Sequence, residues 1–235
     1  MQYEDFDIES LATYLHLTPT QISRLADRGR LPGRKVGGAW RFSTAEIHHW
    51  LEDKIGLSDE EELVHVEDVL ERANTHSNDE TCLIVDMLPI EAIAIPLVAR
   101  TRRSVISAMA KLAAQTGLLW ETKKMEEAVS AREDLHPTAL DNGVALLHPR
   151  RPMPGILAEP LLALGRTSQG IPFGGGNLTD IFFLICSTDD RVHLRTLTRL
   201  SRVISDGTLL TEIREAESPQ AVRELIRNAE EDLPT

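Results

Sequence analysis

Arg132, His148 and His193 are of the types that can handle a phosphoryl group. A neutral imidazole nitrogen is a nucleophile, and a guanidinium clamps phosphoryl oxygens through paired N–H donors. Phosphoryl transfer passes through a loose transition state with charge spread over three equatorial oxygens. What a protein must supply is therefore position and neutralisation. In this reading His148 attacks in line, Arg132 holds the oxygens, and an N–H of His193 bonds the phosphoryl group or orients the nucleophile. The three must then converge in one solvent-accessible cleft, with the imidazole nitrogens about 4–6 Å apart so that both engage one group.

Arg132 opens the stretch REDLHPTALDNGVALLHP, and His148 closes it after the apolar run Gly143-Val144-Ala145-Leu146-Leu147, which reads as a strand. His193 stands in DDRVHLRTLTRL, at the start of an amphipathic helix. Ser187 or Thr188 is the expected cap of that helix, whose N-terminal dipole favours an anion. Asp189 and Asp190 read as helix-start residues and not as metal ligands. Gly174-Gly175-Gly176 lacks the lysine and hydroxyl of a phosphate loop, so it reads as a hairpin turn.

This constellation resembles the enzyme IIA domains of the bacterial sugar phosphotransferase system, of the fructose, mannitol and nitrogen-regulatory type. In that family an RE pair precedes T-x-x-x-x-G-x-A-x-x-H, and a second histidine follows in an H-L-x-x-L helix. The resemblance runs over about residues 63–232 and includes GIPFGGGNLTDIFFLI. It implies a phosphohistidine at His148, a phosphocarrier protein as donor, and no cofactor or metal. The sequence departs from the family at two places. The usual I-P-H-G is Leu146-Leu147-His148-Pro149, and Pro149 removes a backbone N–H next to the nucleophile. The usual T-G-I-G is Thr138-Ala139-Leu140-Asp141. Arg150 and Arg151 follow directly and offer replacement positive charge.

The elements around these residues alternate. Strands are expected at 81–85, 92–98, 143–147, 160–165 and 179–186, and helices at 101–115, 122–132, 189–205, 208–215 and 218–230. That order predicts an α/β (α+β) domain with a mixed β-sheet covered by helices. Aromatic residues are only 4% of the 235, so Leu, Ile, Val and Ala must build the core. Cys82 and Cys186 sit in apolar runs and read as buried thiols of a reducing compartment. The acidic start MQYEDFDIES has no apolar signal region, and the stretch from Met87 to Ala99 is broken by Glu91 and two prolines. A cytoplasmic protein without membrane insertion is expected.

Charge divides the chain. The net charge of −12 disfavours nonspecific nucleic-acid binding, so any DNA contact needs a local basic patch. Such a patch exists: six basic residues against one acid lie between Arg24 and Arg41, whereas eleven acids against two bases lie between Glu52 and Glu80. This shift places a first domain at 1–55, an acidic linker at 56–62 and the enzyme IIA-like domain at 63–235. The first domain opens with a helix carrying Ile8, Leu11, Ala12 and Leu15. Thr18-Pro19-Thr20-Gln21 then reads as a capping box, Gly29 as a helix stop, and Gly37-Gly38 as a hairpin turn. Ser43 to Glu46 starts a closing helix with Ile47, Trp50 and Leu51.

The strings Arg28-Gly29-Arg30-Leu31-Pro32, Val36-Gly37-Gly38, Trp40-Arg41 and Trp50-Leu51 resemble the excisionase-type, MerR-related helix-turn-helix domains. The resemblance implies a small winged helix-turn-helix that binds DNA, with Thr20, Gln21 and Arg24 facing the major groove and Arg34, Lys35 and Arg41 on the wing. Three functions fit the two modules together. The preferred one is a transcriptional regulator that senses phosphotransferase state through His148. The others are a phosphocarrier serving a sugar transporter, and an unphosphorylated binding scaffold. A homodimer is among the assemblies the sequence allows.

Overall fold

The computed structural model describes residues 5–15, 17–44, 46–47, 50–51, 83–174 and 176–233. The chain divides into two compact units, Met1–Glu80 and Thr81–Thr235. The acidic linker expected at 56–62 and Cys82 lie outside the described residues.

In the first unit, helix α1 (Ile8–Leu15) buries Leu11, Ala12 and Leu15. Helix α2 (Pro19–Asp27) starts where the sequence predicts. Thr18 accepts from the Gln21 amide, and Gln21 Oε1 accepts from Thr18 N at 2.8 Å, closing the capping box. Proline occupies the first turn, where its missing N–H leaves no helical bond unmade. Past the end of α2, Gly29 has φ +66°, the left-handed conformation that glycine adopts without Cβ strain. Strands β1 (Arg34–Val36) and β2 (Ala39–Arg41) pair antiparallel through Gly37 and Gly38, whose φ values of +60° and +85° fit a two-residue turn with both central residues left-handed. Phe42 is buried and exchanges backbone hydrogen bonds with Phe6. Thr44, Glu46, Ile47, Trp50 and Leu51 are helical, and Trp50 Nε1 donates to the Arg30 carbonyl at 2.8 Å.

The second unit is a four-stranded mixed sheet in the order β3-β5-β6-β4, built from β3 (Ile93–Ala94), β4 (Val144–Leu147), β5 (Leu161–Pro172) and β6 (Leu178–Cys186). Strands β5 and β6 form an antiparallel hairpin, and β4 runs parallel to β6. Ala145, Leu147, Ala163, Phe182 and Leu184 share one core with Val105, Met109, Met125 and Val129 of helices α3 (Arg102–Ala114) and α4 (Thr122–Leu135). The alternate residues Val144, Leu146, Leu162, Leu164, Ile181 and Phe183 are also buried. Both faces of the sheet are therefore covered, which explains near-continuous apolar strands instead of an apolar–polar alternation. Helix α5 (Asp190–Val203) packs on β6, followed by α6 (Gly207–Glu215) and α7 (Pro219–Glu231).

Two expected strands come out differently. Residues 84–87 form a turn, because the amides of Ile84 and Val85 donate to the Glu230 carboxylate at 2.7 and 3.1 Å instead of to a neighbouring strand. The 92–98 stretch contributes only Ile93–Ala94 to the sheet, preceded by a 3₁₀ turn at Ile90–Ala92. Among the described residues, no helix is long and apolar enough to cross a membrane.

Candidate functional site

The two histidines meet at one edge of the sheet. Strands β4 and β6 are parallel, with Leu147 opposite Leu184, so their C-terminal ends point the same way. His148 directly follows β4. Ser187 directly follows β6, and three residues later α5 begins at Asp190 with His193 in its first turns. The loops leaving the carboxyl ends of parallel strands are the usual place for a site in such sheets. Here they set the His148 and His193 rings at a centroid distance of 5.0 Å with planes tilted by 52°.

Each ring is also held from its Nδ1 side. His148 Nδ1 lies 2.7 Å from the Leu146 carbonyl oxygen. A carbonyl only accepts, so Nδ1 carries a proton, and in the neutral ring the lone pair then falls at Nε2. His193 Nδ1 lies 3.3 Å from the Ser187 hydroxyl. This contact revises the expected cap of α5. Ser187 is turned toward the imidazole, and Asp189 caps the helix by accepting from the Val192 amide at 2.9 Å. Asp189 thus serves as a helix-start residue. Among the described residues, no group of three His, Cys, Asp or Glu side chains is arranged to hold a metal ion.

Arg132 arrives by another route. It stands in the last turn of α4, and the chain after it runs back antiparallel along the free edge of β4. Ala139 bridges Ala145, the Leu140 amide donates to the Val144 carbonyl, and the Leu146 amide donates to the Thr138 carbonyl. The Arg132 guanidinium donates to the His136 carbonyl at 2.8 Å, at the start of that edge segment, and is engaged with the backbone there. The expectation of a solvent-accessible cleft is not met: Arg132 is 5% exposed and each histidine 3%. Inward folding of Arg132 onto His136, and of His148 onto its own strand, accounts for the closure.

Beside Arg132, Glu133 is buried and accepts from the Thr138 amide and hydroxyl. Burial pushes its carboxyl above the ordinary carboxylate range, and the Thr138 hydrogen bonds and the Arg102 and Arg132 charges offset this only in part. Sequence reasoning missed Glu133, Thr138 and Ser187 as parts of the site. The RE pair was the available signal for the first, but only the tertiary register reveals what Glu133 does.

On the first unit, Thr20, Gln21 and Arg24 lie exposed on α2, with the Gln21 carbonyl oxygen committed to the cap. Arg34, Lys35 and Arg41 lie on the hairpin. They make exposed ion pairs with Asp5 at 2.6 Å, Asp27 at 3.6 Å and Asp7 at 3.8 Å, and Lys35 sits over the Trp40 ring. Such surface pairs are worth about 0–1 kcal/mol, so a phosphate backbone can displace them.

The mixed sheet flanked by helices has the fold of phosphotransferase IIA proteins. Residues 86–229 match the family described as phosphoenolpyruvate-dependent sugar phosphotransferase system, EIIA 2, and the chain belongs to it. Residues 6–54 match the helix-turn-helix domain family. The chain is 25% identical over 147 residues to the fructose-specific EIIABC component of Bacillus subtilis, covering 61% of this chain and 23% of that protein. It thus spans under a quarter of that relative's length. It is 23% identical over 156 residues to the nitrogen regulatory protein of Klebsiella oxytoca, covering 65% and 95%. In structure it is similar to nitrogen regulatory protein IIA-Ntr from Neisseria meningitidis, with TM-score 0.55 and 22% identity over 61% of this chain and 98% of that one. It is also similar to IIA mannitol from Escherichia coli, with TM-score 0.53 and 19% identity over 59% and 97%.

Proposed function

We propose that this chain is a DNA-binding transcriptional regulator whose IIA domain senses the phosphotransferase state through phosphorylation of His148. The observation that carries the reading is the imidazole pair, drawn from two separate elements to a ring distance of 5.0 Å, in a chain that also contains a helix-turn-helix domain. His148 Nε2 attacks the phosphorus of a phosphohistidine donor. The donor's N–P bond breaks as the new one forms, and the donor imidazole leaves with the electron pair. His193 orients the incoming group, and Arg132 exchanges the His136 carbonyl for phosphoryl oxygens. In this reading DNA is held by Thr20, Gln21 and Arg24 on α2 and by Arg34, Lys35 and Arg41 on the wing. The phosphoryl donor is a phosphocarrier protein, and the setting is the cytoplasm.

The added phosphate brings about two negative charges. A coupling of about 1–3 kcal/mol between phosphorylation and DNA affinity is expected. It is measured by titrating a selected DNA site with the unmodified chain, the phosphorylated chain and His148→Ala. Equal affinities in all three overturn the switching role.

Burial of both imidazoles, with Pro149 after His148, favours a second reading. In it the IIA fold is kept as a binding scaffold that never receives a phosphoryl group. That reading predicts no transfer from any phosphohistidine donor.

A further inference from the structure

Where the 136–140 segment runs along β4, the facing pairs Leu140–Val144 and Thr138–Leu146 each make one of the two bonds of an antiparallel ladder, the Val144 amide donating to Asn142 Oδ1. Thr138 and Leu146 face each other, and the Leu146 amide donates to the Thr138 carbonyl at 3.3 Å. In a regular ladder such a pair exchanges both bonds, so the Thr138 amide would donate to the Leu146 carbonyl. It does not. The Thr138 amide donates instead to the Glu133 carboxylate, 3.3 Å from each oxygen, and the Thr138 hydroxyl binds the same carboxylate. The Leu146 carbonyl accepts from His148 Nδ1 at 2.7 Å. Two partners have been exchanged, and one of them is the imidazole assigned as nucleophile.

We infer that Glu133 is a positioning residue for His148: by drawing off the Thr138 amide it keeps the Leu146 carbonyl open for His148 Nδ1–H, which fixes the ring with its lone pair at Nε2. This deepens the reading of His148 as phosphoryl acceptor and rests on it for its catalytic meaning. Glu133 acts through two backbone groups, Thr138 N–H and Leu146 C=O. Its placement is otherwise hard to explain, because a carboxylate in the last turn of a helix opposes the helix dipole and this one is 1% exposed. Arg102 at 3.8 Å and Thr138 offset part of the burial and hold the carboxylate in place. Without the carboxylate, Thr138 N–H becomes a second donor to the Leu146 carbonyl, and sharing that acceptor weakens its bond to His148 Nδ1–H. The imidazole is then free to take the Nε2–H tautomer that a histidine side chain favours in water, which is not nucleophilic at Nε2.

The test is the tautomer of His148, read from ring ¹⁵N shifts in the full-length, unphosphorylated chain. Wild type should show Nδ1–H with an unprotonated Nε2. Glu133→Ala should shift His148 toward Nε2–H, and Glu133→Gln, which keeps a side-chain carbonyl for Thr138, should restore Nδ1–H. Phosphoryl transfer from a phosphocarrier should slow by about 3- to 10-fold in Glu133→Ala, the worth of one hydrogen bond. A folded Glu133→Ala chain with the wild-type tautomer overturns the inference. If that variant does not fold, coupling across hydrogen bonds in wild type decides. The Thr138 amide should couple to the Glu133 side-chain carbon, and coupling to the Leu146 carbonyl instead overturns the inference. Because the tautomer needs no phosphoryl donor, a chain that shifts tautomer yet is never phosphorylated upholds this inference and refutes only the proposed function.

Discussion

Replacing Glu230 should unfasten the start of the IIA domain from its end. Glu230 is 3% exposed on α7, yet it takes the amides of Ile84 and Val85 and the Arg199 guanidinium of α5. Arg223, about two turns earlier on α7, donates to the carbonyls of Val85 and Leu88 at 3.0 and 2.9 Å. In Glu230→Ala two buried amides lose their acceptor, each at about 1–3 kcal/mol. Arg199 also loses its carboxylate, and breaking a partly buried pair on one side costs about 3–5 kcal/mol. These penalties overlap because all involve one group, so a total of about 3–5 kcal/mol is expected. For a chain of this size that lowers the midpoint of thermal unfolding by roughly 6–20 °C. Glu230→Gln keeps one acceptor oxygen and should lose only about 1–2 kcal/mol, the scale of one hydrogen bond. The assay is urea and thermal unfolding of the full chain, with amide exchange at Ile84 and Val85 as the local readout. A Glu230→Ala chain within about 1 kcal/mol of wild type, with both amides still protected, refutes the reasoning, since native hydrogen bonds of that kind are not free to lose.

Three further outcomes follow from the same structure. Burial raises the Glu133 carboxyl above its ordinary 4.5, so the folded chain binds that proton more tightly than the unfolded one. The group's contribution is thus full below that pH and is lost as pH rises through the raised value; wild type should lose stability relative to Glu133→Gln over that window, and a constant gap refutes this. Cys186 is fully buried, which pushes its thiol up to about 12, so the native chain should leave Cys186 unmodified by thiol reagents at neutral pH, and rapid peptide-mapped labelling would contradict it. Arg24→Ala should weaken a selected DNA site by about 1–3 kcal/mol while Arg41→Ala weakens specific and random DNA alike and flattens the salt slope; unchanged binding of both variants in gel-shift titrations would remove the groove assignment.

What the sequence reveals depends on how local the cause is. Thr18-Pro19-Thr20-Gln21, Gly29 and Gly37-Gly38 act on their own few residues, and each forms the cap, stop or turn its chemistry dictates. The strands at 144–147 and 178–186, and the first half of 161–172, are legible from their apolar runs, whereas the polar stretch Arg166–Gly170 of β5 is not expected to be strand. The apolar run before Asp86 looks like a strand too, but its amide partner is Glu230, 146 residues beyond Ile84, and no window of sequence contains both. Ser187 looks like a helix cap until the fold places the His193 ring beside it and leaves capping to Asp189. The pairing of His148 with His193 was legible through their spacing in a family pattern. Their burial and the inward turn of Arg132 were not, because both depend on how residues 136–140 lie along β4.

The central claim is that His148 accepts a phosphoryl group, and intact mass measures it most directly. The full chain is incubated with phosphoenolpyruvate, enzyme I and a phosphocarrier protein, alongside His148→Ala and His193→Ala. Wild type should gain one acid-labile phosphoryl group and His148→Ala none. His193→Ala should show a slower but real gain, since that ring orients the transfer without forming the bond. A wild-type mass that never changes, or a gain that persists in His148→Ala, contradicts the claim.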